Sequence, residues 1–135
     1  MSWKLDSDRP IYTQIVERLQ IQIVAGEFAP GSRLKSVRDM AMEAGVNPNT
    51  MQRAFTELER LGLVTTNRST GRQVTEETEM IQKTRNELAQ TQVRDFLSRM
   101  GELGFEKKEV VSLLNAESKN AESKTIEIKE ETEND

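Results

Sequence analysis

Asn49, Gln52, Arg53 and Thr56 recur at three- and four-residue spacing. On a helix turning about 100° per residue, that spacing gathers two amides, a guanidinium and a hydroxyl on one side. Met51, Ala54, Phe55, Leu58 and Leu61 fall opposite them and read as core. The polar set is suited to multidentate hydrogen bonding rather than to proton transfer. A carboxamide matches an adenine edge, and a guanidinium matches a guanine edge, in the DNA major groove. Taken alone, such a face is also what any solvated helix presents. A second group lies downstream, where Arg68, Ser69, Thr70, Gly71 and Arg72 crowd a predicted turn. Two cations and two hydroxyls on a loop suit phosphate or minor-groove contact; the rival reading is an ordinary exposed hairpin. The chain has no Cys and no His. Disulfides, thiolate nucleophiles and Cys/His zinc sites are therefore excluded. No carboxylate spacing suggests a metal, no glycine-rich loop cradles a phosphate, and no nucleophile stands beside a base. The expectation is a protein that is not an enzyme and needs no cofactor.

The elements that must position these groups are marked at their ends. Ser36 is a good N-cap with Asp39 three residues on, and Gly45 suits the left-handed end of a helix. Asn47 can cap the next helix, with Pro48 at its first position. Helix, tight turn and helix within Ser36 to Leu61 is the sequence form of a helix-turn-helix. Gly62 follows as a helix stop. Leu63 to Thr66 and Arg72 to Thr75 then read as a hairpin around the turn Asn67 to Gly71. A hairpin directly after a helix-turn-helix is a wing, and it shifts the weight toward DNA.

Upstream, Trp3 and Leu5 alternate with Lys4 and Asp6, which allows a short edge strand or a packed arm. Asp8 is a candidate N-cap for a first helix opened by Pro10. Its stripe is Ile11, Tyr12, Ile15, Val16, Leu19 and Ile23, with Ile21 and Val24 off the stripe and Gly26 as the stop. Pro30-Gly31 fits the middle of a type II turn. Arg33 to Lys35 fits a one-bridge strand that the hairpin joins.

Glu76 to Met100 has no Gly or Pro but a broken apolar stripe, so it calls for packing on another chain. Gly101 and Gly104 are expected to end it. Glu106 to Ala116 gives a second short helix, with Val110, Val111, Leu113 and Leu114 inward. This helical hairpin is too small to enclose a sizeable ligand cavity, and dimerisation is its simpler job. Glu117 to Asp135 holds seven acids against three lysines and is expected to be disordered or weakly helical.

Charge divides along the same lines. The 135 residues carry a net −4, yet residues 1–75 hold ten Lys and Arg against eight acids, and residues 76–135 hold nine against fifteen. The basic side chains thus accompany the candidate reading unit, whose binding must rest on placed contacts rather than bulk charge. No apolar run spans a membrane and no signal segment opens the chain, so a cytoplasmic location is expected.

The ordered residues from Pro10 to Val74 resemble the winged helix-turn-helix of the GntR family of bacterial transcription regulators. They include Pro10-Ile11-Tyr12, Gln14-Ile15, Gly26-Glu27, Pro30-Gly31-Ser32-Arg33-Leu34, Ser36-Val37-Arg38, Ala41, Gly45-Val46-Asn47-Pro48-Asn49-Thr50, Arg53-Ala54-Phe55, Leu58-Glu59 and Gly62-Leu63. The short two-helix C-terminal part resembles the YtrA-type branch. That resemblance implies dimerisation by the C-terminal helices and control of genes that commonly encode ABC transporters. It also places Arg38 where a family arginine approaches DNA, Asn49, Thr50, Gln52 and Arg53 at the start of the recognition helix, and Gly71 at the wing tip. The chain departs from the family at several of these places. Lys35 stands where many members have Pro, and Pro48 and Gln52 where many have Arg. Ser69 replaces a usual wing Gly, and Arg72 and Gln73 a usual hydroxyl residue and aromatic.

The expected architecture is mainly α with a small β-hairpin. It comprises a winged helix-turn-helix over 1–75, a helical dimerisation region over 76–116 and an acidic tail over 117–135. The expected function is a homodimeric, sequence-specific regulator of double-stranded DNA, read as a repressor of a transporter operon that includes its own gene. The DNA-binding set is Lys35, Ser36, Arg38, Asn47, Asn49, Thr50, Gln52 and Arg53, with Arg68, Ser69, Thr70, Gly71 and Arg72 of the wing. Alternatives stand beside several members. Thr50 could serve only the helix start, Arg38 could pair with an acid of its own helix, and Arg53 could pair with Glu57. The alternative for the whole chain is a winged-helix protein-interaction module without DNA binding. No residue set points to a small-molecule effector.

Overall fold

A computed structural model describes the backbone of residues 3–133 and the side chains as far as residue 121. The order is α1 (Ile11–Val24), α2 (Val37–Ala44), α3 (Pro48–Arg60), β1 (Val64–Asn67), β2 (Gly71–Val74), α4 (Thr78–Glu102) and α5 (Lys107–Glu133). The chain forms two compact units, Met1–Leu88 and Ala89–Asp135, divided within α4.

In the first unit α1, α2 and α3 enclose an apolar core. Ile15, Met51, Ala54, Phe55, Leu58, Leu63 and Val74 are fully buried. Burying each large apolar side chain contributes about 1.5–3 kcal/mol, so α3 is held by its apolar stripe and its polar face is left to solvent. The expected caps form. Ser36 Oγ accepts the Asp39 amide at 3.1 Å, and Asn47 Oδ1 accepts the Asn49 amide at 2.8 Å. Gly45 takes φ +74, a left-handed conformation that stops α2 and lets α3 start three residues later, at Pro48. The Ser32 amide donates to Ala29 O around Pro30-Gly31, with Gly31 at φ +77, as a type II turn requires.

β1 and β2 pair antiparallel, from Val64 opposite Val74 to Asn67 opposite Gly71. Arg33 adds the expected single bridge to Gln73. Both strands lie one residue nearer the tip than expected: Asn67 and Gly71 belong to the ladder, Arg68, Ser69 and Thr70 form the turn, and Arg72 lies in the returning strand, as expected, one residue in from the end of the ladder. The lead forms an arm, not a strand. The Trp3 amide donates to Ala44 O at 3.1 Å, and Arg18 lies 4.2 Å from the indole centroid. Asp8 does not cap α1. Pro10 takes the N-cap position without a side-chain bond. Buried Gln14 ties the lead down instead, accepting from the Asp6 amide and donating to Asp6 O and Arg9 O. Ile81 is buried in the same core and Met80 packs against it, which carries the first unit past residue 75.

In the second unit, Gly101 does not end α4. One interior glycine costs only about 1 kcal/mol relative to alanine, and the break falls at Gly104, with φ +87. Glu109 accepts the Glu106 amide at 3.1 Å, which caps the start of α5. That helix continues past Ala116 to Glu133, so the backbone of the acidic stretch takes the helical one of the two states expected of it. The stretch lacks Gly and Pro and is rich in Glu and Lys, so its backbone favours helix although it has little to bury. Asn134 and Asp135 lie outside the described residues. Val110 is buried, but Val111, Leu113 and Leu114 are exposed at 45%, 44% and 52%, contrary to the inward placement expected of them. Val93 and Leu103 are exposed as well, because this unit of one chain offers too little surface to cover all these groups.

Candidate nucleic-acid interface

The N-terminal end of α2, the polar side of α3 and the wing meet around one groove of about 450 Å³. Its walls carry Lys35, Ser36 and Arg38 from the start of α2, Gln52 from α3, and Thr66, Thr70, Gly71 and Arg72 from the wing, with Arg33 at its edge. Four cationic side chains thus converge around one amide, although they are dispersed in sequence. The α3 face is as expected: Asn49, Gln52, Arg53 and Thr56 are exposed while Met51, Ala54, Phe55 and Leu58 are buried.

The individual side chains differ in how free they are. Arg38 is exposed and makes no ion pair among the described residues, so the pairing alternative is not realised. Lys35 is exposed but bonds Glu43 at 2.7 Å. That hydrogen bond, then the mutual attraction of the pair, raises the Lys35 pKa and lowers that of Glu43. Such a surface pair is worth little and opens readily to a phosphate. Ser36 and Asn47 have their side-chain oxygens engaged as helix caps. Thr50 is half-buried in the first turn of α3. Gln52 Nε2 lies 3.5 Å from Thr56 Oγ1, whose hydroxyl donates back to Gln52 O at 3.0 Å.

Arg53 is not paired with Glu57. Glu57 is taken by Arg60, a contact that lowers its pKa. The Arg53 guanidinium instead lies 3.7 Å from the centroid of Tyr12 on α1, a cation–π contact. Tyr12 is therefore part of the site, and its half-buried ring beside an exposed arginine is visible only after α1 and α3 pack.

In the wing, Arg68 is exposed at the turn, and Asn67 Oδ1 accepts from both the amide and the hydroxyl of Ser69. Thr70 and Gly71 are exposed, and Gly71 takes φ +84. Arg72 differs from the others. It is half-buried, its Nε donates to Glu59 at 2.5 Å, and its guanidinium lies 5.4 Å from the Phe55 centroid. The same Glu59 oxygen accepts from Thr66 Oγ1 at 2.9 Å. Burial opposes ionisation of Glu59, but the bonds from Arg72 and Thr66 outweigh it and hold the carboxyl below its usual range. Glu59, like Tyr12, is a residue that sequence reading missed here. Among the described residues, no cluster of three or more metal-ligating side chains occurs, and no helix is long and apolar enough to cross a membrane.

Residues 11–74 match the model of the family "Bacterial regulatory proteins, gntR family". Over 111 residues the chain is 39% identical to the uncharacterized HTH-type transcriptional regulator YhcF of Bacillus subtilis, covering 82% of this chain and 92% of that protein. It is 40% identical over 70 residues to the HTH-type transcriptional repressor YtrA of the same organism, about half of each chain (52% and 54%). A GntR family transcriptional regulator from Listeria monocytogenes superposes with a TM-score of 0.78 at 37% identity, covering 83% of this chain and 98% of that one. The helix-turn-helix, the wing and these likenesses agree: the chain belongs to the GntR family and is an HTH-type transcriptional regulator.

Proposed function

We propose that the chain is a cytoplasmic, homodimeric repressor that binds an operator through the groove between α2, α3 and the wing. The observation that carries this reading is the convergence of Arg33, Lys35, Arg38 and Gln52 on one exposed concave surface. Arg38 and Lys35 contact phosphates at the start of α2. Asn49, Gln52 and Arg53 face base edges, with Asn47, Ser36 and Thr50 fixing the helix starts. Arg68, Ser69, Thr70 and Gly71 lie along the flanking backbone or minor groove. Dimerisation uses the exposed Val93, Leu103, Val111, Leu113 and Leu114, which form more apolar surface than one chain covers. Two heads then read half-sites spaced by about 34 Å or a multiple of it. The likeness to YtrA, named a repressor, supports repression. We place the operator ahead of a transporter operon of ABC type that includes the regulator's own gene.

Selection of bound duplexes from a random DNA pool tests the reading. It predicts a two-fold symmetric consensus bound by a dimer. Failure to enrich any sequence, with no retention on DNA at low salt, would instead favour a protein-interaction module.

A further inference from the structure

We propose that Glu59 is a positioning residue that clamps the outer half of the wing to the recognition helix, and that Arg72 serves this clamp rather than touching DNA. The proposal rests on the DNA-binding reading above and concerns how the wing is aimed. The base of the hairpin is tied by backbone: Val74 N donates to Ser32 O, Leu34 N to Arg72 O, and Thr75 N to Leu63 O. Those ties reach no further out than the Arg72 carbonyl; past it, and along the facing strand at Thr66 and Asn67, the backbone has only its own ladder, Thr66 opposite Arg72 and Asn67 opposite Gly71. Two-stranded hairpins are marginal by themselves. Among the described residues, every hydrogen bond from α3 to this outer half ends on one atom, Glu59 Oε1, which accepts from Thr66 on β1 and Arg72 on β2.

The chemistry argues against the alternative. A carboxylate beside a DNA-binding groove repels phosphate, so Glu59 works against binding unless it is neutralised and holds something in place. Arg72 does the neutralising. Its Nε is committed and its guanidinium lies over Phe55, a geometry unlike that of exposed Arg68, whose side chain makes no ion pair among the described residues. The clamp thus links the helix that reads bases to the loop that meets the flanking backbone.

The two possibilities differ in sign. If Glu59 only repels DNA, Glu59→Ala strengthens binding and frees Arg72. If it clamps, the same change weakens binding although a negative charge has been removed. The test uses the full chain, a duplex selected by the wild-type protein, and fluorescence anisotropy at fixed salt. Glu59→Ala and Arg72→Ala are each expected to bind roughly tenfold more weakly, the scale of losing a charge-assisted hydrogen bond. The double variant should be no weaker than the weaker single, because both remove one contact. Arg72→Lys should fall between wild type and Arg72→Ala, since an ammonium neutralises Glu59 but does not reproduce the planar guanidinium over Phe55.

Tighter binding by Glu59→Ala, or losses that add in the double variant, would overturn the proposal. Amide hydrogen exchange of the free protein decides it independently of DNA. Glu59→Gln, which keeps the side chain's shape, should accelerate exchange in 66–72 and leave α3 unchanged; unaltered exchange there would refute the clamp. A wild-type chain that bound no duplex would remove the DNA-binding reading, while the exchange result would still decide whether the clamp exists.

Discussion

Replacing Arg38 with alanine isolates one phosphate contact. Arg38 is exposed and makes no ion pair among the described residues, so the fold loses little. Surface changes of this type stay within about 0.5 kcal/mol, and the melting curve should coincide with that of wild type. DNA binding should change in a particular way. Each neutralised phosphate contributes about 0.9 to the slope of log affinity against log salt. A dimer brings two copies, so the slope should fall by about 1.8, and the wild-type advantage should shrink roughly tenfold between about 50 and 200 mM salt. Anisotropy titrations against the selected duplex at four or five salt concentrations measure this directly. Lys35→Ala supplies a control. Lys35 must first leave Glu43, 2.7 Å away, so its removal should flatten the slope less. Parallel salt lines for wild type and Arg38→Ala would show that Arg38 neutralises no phosphate, and the contact map around α2 would have to be redrawn.

Other consequences are open to equally direct measurement. Gln52→Ala should change preference at one base position by about 1–3 kcal/mol while leaving affinity for unrelated DNA unchanged, as read by repeating the selection. Phe55 is fully buried, so Phe55→Ala should cost about 3–5 kcal/mol in chemical denaturation and abolish DNA binding with the fold. The Glu59 carboxyl is held below its usual range by Arg72 and Thr66 against the opposing effect of burial. Its stabilising contribution is therefore present above the ordinary carboxylate value and is lost as pH falls through the depressed one. Denaturation midpoints of wild type should decline more than those of Glu59→Gln on acidification from about pH 5; equal declines would show that Glu59 contributes nothing.

Much of this architecture was legible because its boundaries are chemical. Ser36, Gly45, Asn47 and Pro48 each perform a local backbone task that does not depend on the rest of the chain, so α2 and α3 could be placed from residue types alone. The polar and apolar sides of α3 followed from periodicity for the same reason. What was not legible depends on side chains meeting across elements. Arg53 has Glu57 one turn away, a plausible local partner, yet Arg60 takes Glu57 and the ring of Tyr12 from α1 lies under Arg53. Arg72 read as a wing cation at the start of the returning strand, and it does lie in β2, but its side chain reaches back to Glu59, a partner thirteen residues away that local spacing does not reveal. Gly101 read as a helix end because a glycine permits one, but only Gly104 adopts the left-handed backbone that breaks the helix. The acidic stretch after Ala116 illustrates a different limit. Its composition reports how little apolar surface it can bury, whereas its helical backbone follows from local propensity.

The account depends most on the surface formed by the start of α2, the polar side of α3 and the wing. Amide chemical-shift mapping of the full chain, titrated with its selected duplex at low salt, examines that surface residue by residue. The account predicts shifts concentrated at 35–38, 47–56 and 66–71, with the α5 amides little changed. Shifts confined to α5, or none at saturating duplex, would contradict it.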